Sequence, residues 1–176
     1  MFVLARQAHR LIDFGFGNLV GIDTGNADAV IVDFQHDVVG LDVGELGGAI
    51  VGEDEPFIDA IRQVRQGVAD AGLPLACLTN KPTGFARPLL AVKGLDGFFR
   101  HVFGGDAFAR KKPDPLPLLE TCRALGTPPA ATLMLGDSSN DAQAARAAGC
   151  PVVLVDHGYN HGRPVEEARP DAVLAS

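Results

Sequence analysis

Residues 132–155 read TLMLGDSSNDAQAARAAGCPVVLV, a stretch that predicts one complete strand–helix–strand unit. The apolar run Thr132–Leu135 predicts a strand, and the polar cluster after it leads into a helix predicted over Asn140–Ala148. Gly149 stands where a glycine commonly ends a helix. The apolar run Pro151–Val155 predicts a second strand. Two strands joined by a helix at this spacing are typical of a βαβ unit, in which the strands lie parallel.

The same alternation extends over residues 67–176 and predicts the fold class. The further predicted elements are two strands, Leu73–Leu78 and His101–Phe103, and three helices, Phe57–Ala71, Thr83–Val92 and Pro115–Leu125. We therefore predict an α/β fold with a doubly wound, mostly parallel sheet. In such sheets ligands bind beyond the carboxyl ends of the strands, so the residues directly after each apolar run are candidates for a functional site.

Length and composition indicate one compact domain. The chain has 176 residues, of which 47% are hydrophobic and 21% are charged, a balance that suits a single core. The formal net charge of −7 argues against a nucleic-acid partner. No apolar run is long enough to span a membrane and no secretory signal is evident, so a cytoplasmic protein is predicted. Cys77, Cys122 and Cys150 lie on apolar stretches without CxxC spacing and are predicted to be reduced core residues.

The first 66 residues differ in character from the rest of the chain. They contain 4 basic and 11 acidic side chains, whereas residues 67–176 contain 11 of each. Three short apolar runs in this segment end in aspartate, and Val30–Val32 before Asp33 is the best strand among them. Residues 37–55 are predicted to form a hairpin or an irregular flap. We predict one domain over residues 1–176, with an atypical N-terminal segment at residues 1–66.

Polar groups follow the predicted strands in an order that suits a phosphate monoester. Thr79 and Asn80 follow one strand and can donate hydrogen bonds to phosphate oxygens, while Lys112 can neutralise phosphate charge. Asp137 and Asp141 can hold a hard divalent cation, and Mg²⁺ fits best because it takes one or two carboxylates together with water and substrate oxygens. Each residue alone also suits a turn, a solvated loop or a helix cap. The combination, in this order, favours a site.

The residues that form this set also carry a family resemblance. Three stretches are involved: LACLTNKPTGFARPLL at residues 75–90, FGGDAFARKKPDPLPLL at 103–119, and LMLGDSSNDAQAARAAGCPVV at 133–153. The chain resembles the haloacid dehalogenase superfamily of phosphatases. Thr79 matches the second motif of that superfamily, Lys112 the third, and Asp137 with Asp141 the fourth.

Within that superfamily, residues 67–176 are similar to bacterial phosphoglycolate phosphatases. The resemblance implies hydrolysis of a small phosphorylated substrate, 2-phosphoglycolate, to glycolate and phosphate, with Mg²⁺ as cofactor. It also implies that an aspartate attacks phosphorus and that water then cleaves the aspartyl-phosphate. The tail GYNHGRP belongs to the same resemblance and places Asn160 near the edge of the site.

The chain departs from that family at the first motif, where the family has a strand ending in Asp-x-Asp-Gly-Thr. The first of those aspartates is the nucleophile and the second is the general acid/base. Asp33 is the best candidate for the nucleophile and for a further metal ligand, but Gln35 stands at the second position and cannot transfer a proton. His36 or Asp37 is an alternative acid/base, although a residue displaced by one along a strand points to the opposite face. The 46 residues from Asp33 to Thr79 leave no room for the family's small helical cap domain.

Three functions stay open on the sequence. The first is a phosphoglycolate phosphatase-like hydrolase, incomplete at its N-terminus, that acts through Asp33 and Lys112. The second is a non-catalytic remnant that keeps a pocket for phosphate and Mg²⁺, which the charge asymmetry favours. The third is a phosphatase without a cap that acts on a larger phosphorylated substrate. Self-association is expected if the N-terminal third packs poorly and leaves apolar surface exposed. A carboxylate from residues 1–66 close to both Lys112 and Asp137 would favour a catalytic site.

Overall fold

The computed structural model describes residues 27–33, 72–156, 160 and 162–174, and these form a six-stranded sheet with helices on both faces. The strands are β1 (Ala29–Val32), β2 (Leu75–Leu78), β3 (His101–Phe103), β4 (Thr132–Gly136), β5 (Val152–Val155) and β6 (Ala172–Leu174). They lie in the order β3-β2-β1-β4-β5-β6, and every neighbouring pair is parallel.

Strand β1 lies at the centre of the sheet and fixes the position of the site. Ile31 is in register with Ala76 of β2 on one side and with Met134 of β4 on the other. All four residues of β1 are buried, which agrees with a continuous apolar run flanked by strands on both sides. Strands β2 and β3 follow β1 toward one edge of the sheet. Strands β4, β5 and β6 lie on the other side of β1 and extend to the opposite edge. This reversal is a topological switch point, where a crevice opens beyond the carboxyl ends of the strands.

Three α-helices cover the sheet in the described part of the chain: α1 (Thr83–Val92), α2 (Leu116–Leu125) and α3 (Ser139–Ala148). Helices α2 and α3 end at Gly126 and Gly149, whose φ angles of 76° and 81° lie in the left-handed region. Glycine adopts that conformation without the steric cost that a Cβ atom brings. Short 3₁₀ helices lie at Pro129–Ala131 and Val165–Ala168.

The alternation of side chains along each strand divides the core into two apolar clusters. Val30 and Val32 of β1 pack on the face covered by α1, in a cluster that includes Leu90. Ile31 packs on the opposite face with Leu118 of α2. Successive residues of a strand point to opposite faces, so the fully apolar sequence of β1 supplies both clusters.

The structure confirms the predicted fold class and most predicted elements. The predicted strand His101–Phe103 and helix Thr83–Val92 have the observed bounds. The other predicted elements that fall on described residues differ from the observed bounds by one or two residues. Strand β6 has no counterpart among the predicted strands. Two predicted elements lie outside the described residues: the helix Phe57–Ala71 and the flap at residues 37–55. The segment in which the family has its cap domain also lies there. The three cysteines are buried free thiols, as predicted. None of the helices within the described ranges is long and apolar enough to cross a membrane.

We expect Met134→Ala to lower the free energy of unfolding by about 2–5 kcal/mol. Met134 is fully buried at the centre of β4, so truncation leaves a cavity between the sheet and the helices of that face. Val92→Ala is the control, because Val92 is 52% exposed at the end of α1 and should change the value by less than about 0.5 kcal/mol. Urea denaturation of the two variants measures both values, and equal losses would contradict this assignment of the core.

Candidate functional site

Three strand ends meet at the switch point, and each carries a buried polar side chain. Asp33 follows β1, Thr79 follows β2 and Asp137 follows β4, and all three are buried. The backbone N–H of Asp33 donates to the carbonyl oxygen of Leu135 at 2.9 Å, which extends the sheet pairing past the end of β1. The N–H of Thr79 donates in the same way to Phe103 at 3.0 Å. Sheet hydrogen bonds therefore fix the backbones that carry these side chains.

A buried lysine joins these strand ends. The Nζ atom of Lys112, from the segment between β3 and α2, lies 2.5 Å from Oδ2 of Asp33 and 2.7 Å from Oδ1 of Asp141. It also donates a hydrogen bond of 2.8 Å to the carbonyl oxygen of Leu78. An ammonium group has three protons, and each of these three oxygens lies within hydrogen-bonding distance. The predicted nucleophile and the predicted lysine are therefore in direct contact.

The side chain of Asn80 holds the backbone of Lys112 in place. Its Oδ1 accepts from the N–H of Lys112 at 3.1 Å, and its Nδ2 donates to the carbonyl oxygen of the same residue at 2.9 Å. Both polar atoms of the amide are engaged in this clamp. The contacts give Asn80 a positioning role, and its phosphate-binding role stays a prediction. The phosphate-binding role of Thr79 also stays a prediction. Its Oγ1 accepts a hydrogen bond from the N–H of Lys81 at 3.3 Å.

Asp141 is bound on both carboxylate oxygens at the start of α3. Its Oδ2 accepts hydrogen bonds from the N–H groups of Asp137 and Ser138, each at 3.1 Å, and from the hydroxyl of Ser138 at 2.8 Å. Burial alone raises the pKa of Asp141, but Lys112 and these hydrogen bonds outweigh burial and hold the pKa below its usual value. Asp141 is therefore ionised, and it ties the first turn of α3 to the end of β4.

Gly136 allows this close approach between β4 and α3. A Cβ atom at Gly136 would lie 2.5 Å from Cβ of Asp141, well inside van der Waals contact. The absence of a side chain at this position lets the carboxylate of Asp141 reach back to the strand end.

The carboxylates of Asp33, Asp137 and Asp141 form a cluster that can hold a metal ion. Each offers one oxygen, and these three oxygens lie within 4.8 Å of one another. Burial, with smaller contributions from Asp141 and Asp137, raises the pKa of Asp33 to about 8, although Lys112 acts in the opposite direction. Among the described residues, Oδ1 of Asp33 has no hydrogen-bond partner. Three buried carboxylates face one lysine, and such a group of oxygen ligands suits a hard divalent cation, which prefers carboxylate ligands.

Asn160 is a further residue that supports the site. Its Oδ1 accepts from the N–H of Ser139 at 2.9 Å, and its Nδ2 donates to the carbonyl oxygens of Arg163 and Pro164 at 3.0 and 3.2 Å. The buried amide thus connects the segment after β5 to the first residue of α3. The resemblance places Asn160 at the edge of the site, but nothing in the local sequence indicates that it caps a helix 21 residues earlier.

Comparisons with known proteins match large parts of the chain. A family model described as haloacid dehalogenase-like hydrolase matches residues 9–149, a range that includes Asp33 and begins well before residue 67. A phosphoglycolate phosphatase from Thiobacillus denitrificans is 50% identical over 121 residues, which are 69% of this chain and 53% of that protein. A phosphoglycolate phosphatase from Escherichia coli strain K12 is 47% identical over 105 residues, 60% of this chain and 42% of that protein. The chain spans about half the length of the curated relatives it matches.

Solved structures show the same architecture. The crystal structure of a predicted phosphoglycolate phosphatase from Haemophilus somnus matches with a TM-score of 0.58 and 36% identity, over 68% of this chain and 50% of that one. A HAD family hydrolase from Deinococcus radiodurans matches with a TM-score of 0.58 over 86% of this chain and 92% of that one. The second structure is 19% identical and supports the fold alone.

We expect Lys112→Met to lower the free energy of unfolding by about 3–5 kcal/mol when divalent cations are chelated. The substitution leaves buried carboxylates without the ammonium group that contacts two of them. Lys111→Met is the matched control, because the neighbouring Lys111 is exposed and should have little effect. Urea denaturation in the presence of EDTA measures both. Similar stability of the two variants would show that the lysine does not balance the cluster.

We expect Gly136→Ala to lower the free energy of unfolding by about 1–3 kcal/mol, because the new methyl group collides with Asp141. Gly84→Ala is the control: Gly84 lies in α1, and a methyl group added there would have no other atom within 4 Å, so alanine should stabilise the helix by about 0.5–1 kcal/mol. Opposite shifts of the two thermal midpoints check the prediction, and a neutral Gly136→Ala would contradict the close approach.

Proposed function

The chain belongs to the haloacid dehalogenase-like hydrolase family, and on that premise we propose that its site hydrolyses a phosphate monoester with Mg²⁺ as cofactor. The observation that carries the proposal is the contact of 2.5 Å between Asp33 and Lys112 beside Asp137 and Asp141. A carboxylate next to a buried ammonium group and two further carboxylates has the components for phosphoryl transfer through a covalent intermediate.

The ligands for Mg²⁺ in this proposal are Asp33, Asp137 and Asp141. When bound, Mg²⁺ supplies positive charge that neutralises the phosphate oxygens. Lys112 supplies the second positive charge, which is held in place by Asn80 and by the carbonyl oxygen of Leu78.

Asp33 is the proposed nucleophile. A carboxylate oxygen of Asp33 forms a bond to phosphorus while the bond from phosphorus to the leaving-group oxygen breaks, which yields an aspartyl-phosphate. Water then forms a bond to phosphorus and the acyl-phosphate bond breaks, so that phosphate is released and the carboxylate is restored. Lys112 contributes in two ways, since its charge favours the ionised carboxylate before the reaction and balances the phosphoryl charge during it. Thr79 is proposed to donate a hydrogen bond from its hydroxyl group to a phosphate oxygen.

The proposed substrate is 2-phosphoglycolate, a small phosphorylated acid. Support comes from the two phosphoglycolate phosphatases that are 50% and 47% identical over the matched residues. A cytoplasmic location belongs to the same proposal. The leaving group of this substrate is an alkoxide that needs a proton, and Gln35 stands where the family has its proton donor. Protonation of the leaving group is therefore the step that limits the rate of the proposed reaction.

A second candidate function is a non-catalytic pocket for phosphate and a divalent cation. It is favoured by the amide at Gln35 and by the engagement of Asp141 in structural hydrogen bonds on both oxygens. Such a pocket would bind phosphate without turnover.

We expect Asp33→Asn to reduce Mg²⁺-dependent phosphate release from 2-phosphoglycolate and from an aryl phosphate by about 10⁴-fold or more, because the nucleophile is lost. Asp137→Asn should raise the Mg²⁺ concentration needed for half-maximal rate. Asp96→Asn is the control, since Asp96 is exposed and distant in sequence from every site residue. Activity that survives Asp33→Asn would refute the nucleophile. Absence of activity in all forms, with phosphate and Mg²⁺ still bound by the unmodified chain, would support the second candidate.

We expect an aryl phosphate to be hydrolysed about 10²-fold faster than 2-phosphoglycolate, because a phenolate leaves without protonation. Gln35→Asp should raise the rate on 2-phosphoglycolate by about 10²-fold and leave the aryl phosphate nearly unchanged. Gln143→Asp is the matched control, because it adds the same charge at an exposed position of α3. Steady-state kinetics on both substrates measure these effects. Equal gains on the two substrates would indicate an effect on binding or folding rather than on proton transfer.

A further inference from the structure

Two of the three cysteines face each other near the C-terminal end of α3, whereas Asp141 lies in the first turn of that helix. The Sγ atoms of Cys122 in α2 and of Cys150 after α3 lie 3.9 Å apart. Both residues are buried, with 2% and 5% exposure, and both belong to the cluster beneath α2 and α3. Cys77 belongs to the cluster on the opposite face of the sheet. The chain thus contains one thiol pair and one isolated thiol.

Backbone hydrogen bonds fix both members of the pair. The carbonyl oxygen of Cys122 accepts from the N–H of Gly126 at 2.9 Å and from that of Thr127 at 3.1 Å, as part of the cap that ends α2. The N–H of Cys150 donates to Ala145 at 2.9 Å, as part of the cap that ends α3. The two thiols are therefore presented to each other by two hydrogen-bonded helix ends.

We propose that Cys122 and Cys150 form a site of oxidative modification, at which a peroxide converts the two thiols to an intramolecular disulfide. In the first step the thiolate of Cys122 attacks a peroxide oxygen, so that an S–O bond forms, the O–O bond breaks and water leaves after protonation. In the second step the sulfur of Cys150 attacks that of Cys122, the S–O bond breaks and a second water leaves with the proton of Cys150. The two sulfurs together lose two electrons, and the peroxide gains them.

The surroundings of the pair favour Cys122 as the first sulfur to react. The contact with the Cys150 thiol lowers the pKa of Cys122, and a lower pKa increases the thiolate fraction of a cysteine. Burial, reinforced by the charge of Asp33, raises the pKa of Cys77, which lowers the thiolate fraction of this cysteine. Each member of the pair is adjacent in sequence to an exposed residue, Arg123 or Gly149.

The disulfide would close a segment that carries part of the phosphate site. The two cysteines are 28 residues apart, and the chain between them contains β4 and α3 with Asp137 and Asp141. A cross-link that closes a loop of this length removes conformational entropy from the unfolded chain and thereby stabilises the fold.

The test treats the full chain with hydrogen peroxide and compares it with the reduced chain. We expect two of its three thiols to become unreactive toward an alkylating reagent, and the intact mass to fall by two hydrogen atoms. Trypsin should then release a cross-linked pair of peptides, one ending at Arg123 and one beginning at Ala147. The thermal midpoint should rise by about 5–10 °C and return to its original value with dithiothreitol.

Single variants separate this site from general oxidation. Cys122→Ser and Cys150→Ser should each abolish the cross-linked peptide, whereas Cys77→Ser should retain it. Retention of all three reactive thiols, or oxygen addition to Cys122 without a cross-link, would overturn the proposal. The peptide map of the unmodified sequence decides the question even if a variant fails to fold. These measurements do not depend on phosphatase activity, so their outcome is separate from that of the proposed function.

Discussion

The buried ammonium group of Lys112 is the interaction on which the arrangement of the site depends. A charge taken out of water is strongly destabilising unless partners of opposite charge and hydrogen-bond acceptors surround it. Here the partners are Asp33 after β1, Leu78 at the end of β2 and Asp141 in α3. Three segments that are distant in sequence must therefore be in place together for the lysine to be tolerated. The groups proposed to perform the chemistry are the same groups that hold the switch point together.

Much of the fold and part of the site follow from local sequence patterns. The βαβ alternation, the glycines that end α2 and α3, and the polar residues at strand ends are features of short windows, and they predicted the sheet and the positions of Thr79 and Asp137. Other features depend on contacts between distant residues. The clamp between Asn80 and Lys112 spans 32 positions and the thiol pair spans 28, and no periodicity encodes such contacts. Strand β6 was missed because it has three half-buried residues and little local signal.

In the N-terminal segment, the amino-acid composition and the place of strand β1 in the sheet lead to different conclusions about the site. Its excess of acidic residues favoured a remnant with half a site, yet Val30–Val32 forms part of the central strand and Asp33 contacts Lys112. Net charge is determined mostly by side chains that remain in solvent, whereas the place of a strand in a sheet is determined by a few apolar residues. The four buried residues of β1 therefore determine where this segment lies in the sheet, and the charge balance of the segment does not.

The central position of β1 has a consequence for the order in which the sheet assembles. One edge of β1 pairs with β2, but the other pairs with β4, and Ile31 and Met134 are separated by most of the length of the chain. Contacts between residues so far apart form slowly, because a long loop must close before the contact is gained. During synthesis on the ribosome, one edge of β1 therefore lacks its partner until β4 has emerged. An open edge of an apolar strand invites pairing with other chains, so the nascent polypeptide is exposed to such pairing during this interval.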